Sequence, residues 1–159
     1  MIDVILYEPE IPQNTGAIIR LCANSGASLH LIHPLGFVME DARLRRAGLD
    51  YREYAIVREY HKLDECLASL SASRVFALTA TADRAYSDVT FRPGDAAIFG
   101  PESSGLPSSV LRHSCRPTAL RIPMREGSRS LNLANAVSIV VYAAWRDMGF
   151  SGAAGPRSD

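Results

Sequence analysis

The chain has 159 residues, enough for one domain with a full hydrophobic core. Its 17 basic and 17 acidic side chains cancel, which excludes a strong overall positive field for nucleic acid or membranes. No basic segment follows Met1, and the longest apolar run, near 137–145, is too short to span a bilayer. We therefore expect a cytoplasmic protein.

The type of charge is more informative than its sum. Lys62 is the only lysine, and eight of the 16 arginines fall into two groups. The groups are Arg43, Arg45 and Arg46, and then Arg112, Arg116, Arg121, Arg125 and Arg129. Clustered guanidinium groups suit phosphates, although a GC-rich genome also favours arginine over lysine. Both explanations stay open at this point.

The three cysteines point away from disulfides and metals. Cys22, Cys66 and Cys115 are odd in number, far apart and without metal-ligand spacing. Reduced thiols in a cytosolic protein are the simplest interpretation.

Predicted strands and helices alternate along the chain. A strand at 2–7, a helix at 17–24 ended by Ser25-Gly26, and a strand at 29–33 form a β-α-β unit with parallel strands. The later elements are helices at 41–47, 63–70 and 108–113, strands at 55–59, 75–79, 96–99 and 118–122, and a long closing helix.

This alternation predicts an α/β fold with an open, mostly parallel sheet flanked by helices. Residues 1–150 would form this single domain, followed by a disordered tail at 151–159. Polar loops at 78–81, 100–105 and 122–130 each follow a strand, so we expect them to meet at one edge of the sheet. Their glycines have neither dinucleotide-binding nor Walker spacing, which disfavours a nucleotide phosphate as ligand.

The stretch from 120 to 136 concentrates the unusual chemistry. Pro123 ends a strand, Gly127 permits a turn, and Ser128, Ser130, Arg125 and Arg129 surround it. Crowding of this kind predicts a ligand site, although serine before a helix is also an ordinary cap.

The closing helix adds to this prediction. Asn132 and Asn135 lie near its start, where free N–H groups attract anions and lone pairs. From 137 to 145 the helix is apolar on nearly every face, so we expect it to be buried on nearly every face.

Three segments carry a resemblance to a known enzyme family. They are Asn14-Thr15-Gly16 with Arg20, Phe99-Gly100-Pro101-Glu102 with Gly105-Leu106, and Arg121-Ile122-Pro123-Met124 with residues 128–136. In order and spacing they resemble the three motifs of SPOUT-superfamily RNA ribose 2′-O-methyltransferases. Residues 6–12 and 44–51 are similar to its short members, which act on the wobble cytidine or uridine at position 34 of tRNA.

The resemblance implies a deep C-terminal trefoil knot, a rare exception among folds. It also implies S-adenosylmethionine as cofactor, a homodimer packed through its first and last helices, no metal, and recognition of the anticodon stem-loop, with leucine tRNAs as expected substrates. The implied cofactor-binding residues are Leu78, Thr79, Gly100, Ile122, Met124, Ser130 and Leu131.

The implied catalytic residues are Arg20, Asn14, Ser130, Asn132 and Glu102. Family proposals make the motif-one arginine, here Arg20, the base. A guanidinium normally only donates, so we expect Arg20 to bind the substrate phosphate and orient the hydroxyl. In a short enzyme, Arg43, Arg45, Arg46 and Arg129 become candidates for contacts with the RNA backbone.

Each candidate also has a plainer interpretation. Asn14, Ser130 and Asn132 can be helix caps, Glu102 can brace its loop, and Arg43, Arg45 and Arg46 can be a solvated helix face. At the level of function, the alternatives are methylation of ribosomal RNA or another tRNA position, and a non-catalytic RNA-binding dimer.

Overall fold

The computed structural model describes residues 1–39 and 57–155. In chain order these contain β1 (Asp3–Tyr7), α1 (Pro12–Ser25), β2 (Ser28–Ile32), β3 (Val57–Tyr60), α2 (Leu63–Ser69), β4 (Arg74–Leu78), a 3₁₀ turn (Tyr86–Asp88), β5 (Asp95–Phe99), α3 (Ser108–Leu111), β6 (Thr118–Leu120) and α4 (Leu133–Asp147). The helix predicted at 41–47, the start of the strand predicted at 55–59 and the end of the predicted tail lie outside the described residues.

The six strands form one parallel sheet in the order β3-β2-β1-β5-β4-β6. The chain runs outward from β1 to β3, then crosses to the other side for β4, β5 and β6. This confirms the predicted open parallel sheet. It also places the loops after β4, β5 and β6 beside one another at the carboxyl edge, where such sheets bind ligands.

Helices cover both faces of the sheet because the strands are apolar on both sides. Val4 and Leu6 of β1 pack in one cluster with α1 and α4, whereas Ile5 packs in the other with α2 and α3. The carboxyl edge of the sheet is therefore supported by a core of three layers, with helices on both faces of the sheet. Among helices of the described ranges, none has both the length and the apolar character that a membrane crossing needs.

Helix α1 begins earlier than predicted. The sequence predicted the helix at 17–24, but α1 starts at Pro12. Proline suits the first helical position, where its missing N–H costs nothing and its φ is already helical. Asn14 therefore lies in the first turn of a helix. At the other end Gly26 adopts a φ of 74° and its N–H bonds the Cys22 carbonyl, as expected for a helix C-terminus.

The expectation that α4 is buried on nearly every face is wrong. Its buried residues form one stripe, Leu133, Val137, Val140, Val141 and Ala144. Tyr142 is 47% exposed on the opposite side. Among the described helices, α1 is the one that packs extensively against α4, and the face that carries Tyr142 lies outside the core cluster.

Strand β6 is shorter than predicted and ends at Leu120. Arg121 then makes an isolated parallel bridge to Ala85, which holds the loop after β4 against the segment that leads into the polar loop. Gly127 adopts a φ of 72°, so the predicted turn at this glycine is confirmed.

Candidate active site

A cleft of about 620 Å³ opens at the carboxyl edge of the sheet. Its walls are residues 78–81 after β4, residues 99–106 from the end of β5, and Ile122, Met124, residues 130–133 and Ala136 around the polar loop and the start of α4. The three loops predicted to converge do so. All seven predicted cofactor-binding residues line the cleft: Leu78, Thr79, Gly100, Ile122, Met124, Ser130 and Leu131.

A chain of side-chain hydrogen bonds crosses one side of the cleft. Asn14 Nδ2 donates to Glu102 Oε1 at 3.0 Å, and Asn132 Nδ2 donates to Asn14 Oδ1 at 2.8 Å. Asn132 Oδ1 in turn accepts from the backbone N–H groups of Ala134 and Asn135 at 2.9 and 3.3 Å. The three motifs that sequence alone could only place in order are thus joined by direct contacts.

Asn132 and Asn14 have different roles at the starts of their helices. Asn132 is the N-cap of α4, so its capping interpretation is confirmed. Asn14 caps nothing: the N-cap of α1 is Ile11, which makes no side-chain cap hydrogen bond. The amide of Asn14 is 8% exposed and is committed to Glu102 and Asn132. Its plainer interpretation as a cap is therefore wrong.

Glu102 braces a neighbouring loop, whereas sequence analysis considered only a brace within its own. Its carboxylate accepts from Glu10 N at 2.8 Å, Ile11 N at 3.2 Å and Asn14 Nδ2 at 3.0 Å. These three N–H donors occupy most of the lone-pair sites of the carboxylate, which a general base would need to have free. This geometry suits a positioning role, and proton transfer by Glu102 stays an untested prediction.

The comparisons with known proteins bear directly on this site. Residues 1–142 match the SpoU rRNA Methylase family. The chain belongs to the SpoU methylase family. The family resemblance inferred from the three motifs is thereby confirmed, and the trefoil knot is what membership implies.

One relative and one solved structure are similar to this chain over nearly its whole length. A tRNA (cytidine(34)-2′-O)-methyltransferase of Escherichia coli K12 is 52% identical over 153 residues, which cover 96% of this chain and 98% of the relative. A solved structure concerned with the 2-OH methylation of C/U34 on tRNA is 44% identical, has a TM-score of 0.86 and covers 94% of this SpoU chain and 97% of that one.

A third comparison concerns the cofactor. An AdoMet-bound rRNA methyltransferase from Sinorhizobium meliloti is 25% identical with a TM-score of 0.78, over 91% of this chain and 56% of that one.

The residues of the cleft fit this cofactor. Its volume lies within the range of roughly 300–1,000 Å³ that is usual for small-molecule sites. Apolar side chains such as Leu78, Ile122 and Leu131 offer a surface for a purine, while Thr79 and Ser130 offer hydroxyl groups to polar parts of the ligand.

Two of the predicted arginines, Arg20 and Arg129, lie within the described residues, and the cleft is not lined by either of them. Arg20 is exposed on α1 and Arg129 is exposed in the polar loop. Arg43, Arg45 and Arg46 lie outside the described residues. The roles of these five arginines stay predictions.

Other titratable groups offer no second chemistry here. Burial raises the pKa of the thiols of Cys22 and Cys66 to about 12 and also raises that of Cys115. All three are free thiols that stay protonated near neutral pH. Across the described parts of the chain, no group of three or more His, Cys, Asp or Glu side chains is arranged to hold a metal ion.

Sequence reasoning missed Glu10 and Ser103. Glu10 accepts hydrogen bonds from the backbone N–H and the hydroxyl of Ser103 at 2.9 and 2.7 Å. Glu10 belongs to the segment 6–12 that supported the narrower resemblance, but its pairing depends on two loops separated by more than 90 residues.

Proposed function

We propose that this chain transfers the methyl group of S-adenosylmethionine to the ribose 2′-hydroxyl of the wobble nucleotide of tRNA. The observation that carries the proposal is the convergence of Asn14, Glu102 and Asn132 on one cleft in a chain 52% identical, over 96% of its length, to a tRNA (cytidine(34)-2′-O)-methyltransferase. Leucine tRNAs are the proposed substrates, as the family resemblance implies.

When bound, the cofactor supplies an electrophilic methyl group. The chain's contribution is then mainly positioning, because an in-line displacement gains most from holding the reacting atoms in place. Asn132 fixes the start of α4, Asn14 fixes Asn132, and Glu102 fixes Asn14. This chain of contacts determines where Ser130 and Leu131 stand at the rim of the cleft.

The hydroxyl of the substrate must also lose its proton. Glu102 already accepts three N–H groups, and the Arg20 guanidinium normally donates only. We propose that Arg20 binds an RNA phosphate and orients the hydroxyl, and that the proton leaves through phosphate or water. Arg20→Lys keeps the charge but loses the fork, so it should lower turnover at least tenfold through loss of one bidentate contact.

The anticodon stem-loop is the proposed binding target. An anticodon loop is a small exposed target, and bases of a single-stranded loop can be splayed into a pocket such as this cleft. Arg43, Arg45, Arg46 and Arg129 are the proposed backbone contacts. Such a substrate places the enzyme in the cytoplasm.

We further propose a homodimer in which α1 and α4 meet their copies. The support is a stripe on α4 outside the core, Ile139, Tyr142 and Arg146, of which Tyr142 is 47% exposed. A large aromatic side chain of this kind is typical of a buried interface. Tyr142→Asp should shift the sedimentation coefficient from dimer to monomer, whereas a wild-type monomer would contradict this assembly.

The substrate proposal is tested with a short synthetic anticodon stem-loop. Purified protein should methylate it, and a copy with 2′-deoxyribose at the wobble position should accept no label. Equal labelling of both RNAs would overturn the proposed position. Labelling of ribosomal RNA alone would favour the rRNA activity named in the family description.

A further inference from the structure

Two glutamates of neighbouring loops hold each other's loop. Glu102, in the loop after β5, accepts the backbone N–H groups of Glu10 and Ile11. Glu10, in the loop after β1, accepts the backbone N–H of Ser103 at 2.9 Å through Oε2 and its hydroxyl at 2.7 Å through Oε1. The contacts run in opposite directions, so each carboxylate fixes the backbone that carries the other.

The loop that carries Glu10 is anchored to the sheet. Glu8 N donates to the Ile32 carbonyl at 3.0 Å, and Gly36 N donates to the Pro9 carbonyl at 2.9 Å. A Cβ on Gly36 would lie 2.7 Å from Glu10 Cα, so the segment after β2 presses directly against the Glu10 backbone. Glu10 therefore stands on a fixed base at the centre of the sheet edge.

The loop after β5 is a compact turn closed by contacts between its own backbone atoms. Gly105 N donates to the Pro101 carbonyl at 3.0 Å. A Cβ on Gly100 would lie 2.4 Å from Leu106 N, so the two ends of the loop touch backbone to backbone. Residues 99–106 form one wall of the cleft, and Ser103 is part of that wall. Glu10 is not among the residues lining the cleft, so it forms its hydrogen bonds to this wall from outside the cleft.

We propose that Glu10 and Ser103 are a positioning pair for the cofactor site, in which the Glu10 carboxylate sets the position of the loop that forms the cofactor wall. The pair deepens the proposed function and rests on it. Glu10 is exposed, and the Ser103 contacts hold the pKa of its carboxyl below the ordinary value by stabilising the ionised form. The Glu10 carboxylate that accepts these hydrogen bonds is therefore fully ionised near neutral pH.

The effect should appear in cofactor binding and leave chemistry largely untouched. Loss of charge-assisted hydrogen bonds that preorganise a binding wall should raise the Kd and KM for S-adenosylmethionine about tenfold in Glu10→Ala. Because Glu10 touches neither substrate nor reacting atoms, kcat at saturating cofactor and the KM for tRNA should stay within about twofold. Glu10→Gln keeps one oxygen acceptor, so its cofactor Kd should lie between those of wild type and Glu10→Ala.

The test is calorimetric titration of S-adenosylmethionine into wild type, Glu10→Ala, Ser103→Ala and the double variant, followed by steady-state kinetics. Ser103→Ala should raise the Kd about threefold, since it loses the hydroxyl contact but keeps the backbone one. The double variant should bind no worse than Glu10→Ala, because the two groups act as a unit.

Glu65→Ala is the matched control. Glu65 also accepts two backbone N–H groups, from His61 and Lys62, but at the start of α2 and away from the cleft lining. This variant should lower the melting temperature without changing the cofactor Kd.

Unchanged cofactor Kd in Glu10→Ala, additive effects in the double variant, or equal weakening by Glu65→Ala would each overturn the positioning pair. Failure of wild type to bind the cofactor would instead overturn the proposed function. If Glu10→Ala does not fold, Ser103→Ala decides: a wild-type Kd for it contradicts the pair.

Discussion

Asn132 Nδ2 donates a 2.8 Å hydrogen bond to Asn14 Oδ1 across a separation of 118 residues. The bond joins the first turn of α1 to the N-cap of α4. Since Asn14 also donates to Glu102, its amide has a fixed orientation: the nitrogen faces the carboxylate and the oxygen faces Asn132. The site is thus specified by the direction of its donors as well as by their positions.

Asn132→Asp separates capping from positioning. Aspartate caps a helix as well as asparagine does, so α4 should keep its stability. Its carboxylate would face Asn14 Oδ1, and turning the Asn14 amide would only move the conflict to Glu102. We expect kcat/KM for methyl transfer to fall at least tenfold, with a melting temperature within about two degrees of wild type.

Asn132→Ser supplies the control for that variant. Serine also caps but is too short to reach Asn14, so it removes the contact without adding repulsion. It should be less impaired than Asn132→Asp. If the aspartate variant were as active as wild type, the orientation assigned to Asn14 would be contradicted.

Gly100→Ala should abolish tight cofactor binding. The added Cβ would meet Gly105 C and Leu106 N at 2.4 Å, and backbone atoms cannot yield as a flexible side chain can. The loop must shift, and we expect the cofactor Kd to rise more than tenfold, at a cost of about 1–3 kcal/mol in stability from overpacking. Calorimetric titration and urea unfolding measure the two effects separately. Gly155→Ala, where a Cβ meets nothing within 4 Å, should change neither.

Asp95 should matter for stability and not for the cofactor. It is fully buried at the start of β5, at the opposite edge of the sheet from the cleft, and accepts from Arg74 Nε and from Arg92 N at 2.9 and 2.7 Å. Asp95→Asn leaves the half-exposed Arg74 without its counter-charge, and we expect a loss of about 2 kcal/mol. Urea unfolding should show this loss while the cofactor Kd stays unchanged. A raised cofactor Kd would show that the edge of the sheet at Asp95 is coupled to the edge at the cleft.

The buried thiols make stability fall at high pH. In the unfolded chain Cys22 and Cys66 ionise near pH 9, whereas burial raises the pKa of both to about 12 in the fold. Between these values the folded state holds more protons, so the free energy of unfolding decreases as pH rises above 9. Urea unfolding from pH 8 to 10.5 should show this slope, and it should be shallower in Cys22→Ala/Cys66→Ala. Equal slopes would contradict the assignment.

Patterns local in sequence predicted most of the fold. Apolar runs located the strands, and Gly26 marked the end of α1. The start of α1 was misplaced because Pro12 ends a loop as readily as it begins a helix. Tyr142 was expected to be buried because apolar character alone does not say which element will cover a face.

The location of the site could be predicted from the sequence, whereas part of its hydrogen bonding could not. Parallel strands bring the ends of β4, β5 and β6 together whatever their loops contain, so the cleft could be located. Two of the three partners of Glu102 could not, because they are backbone N–H groups of a loop more than 90 residues away. Contacts of that kind leave no spacing signal in a single sequence.

The central claim is methyl transfer to the wobble ribose, and mapping the labelled nucleotide tests it most directly. The protein is incubated with unmodified tRNA and radiolabelled S-adenosylmethionine, and the RNA is digested to locate the label. The account predicts label in a 2′-O-methyl nucleotide at position 34. Label at any other nucleotide, or no label in any RNA despite measurable cofactor binding, would contradict it.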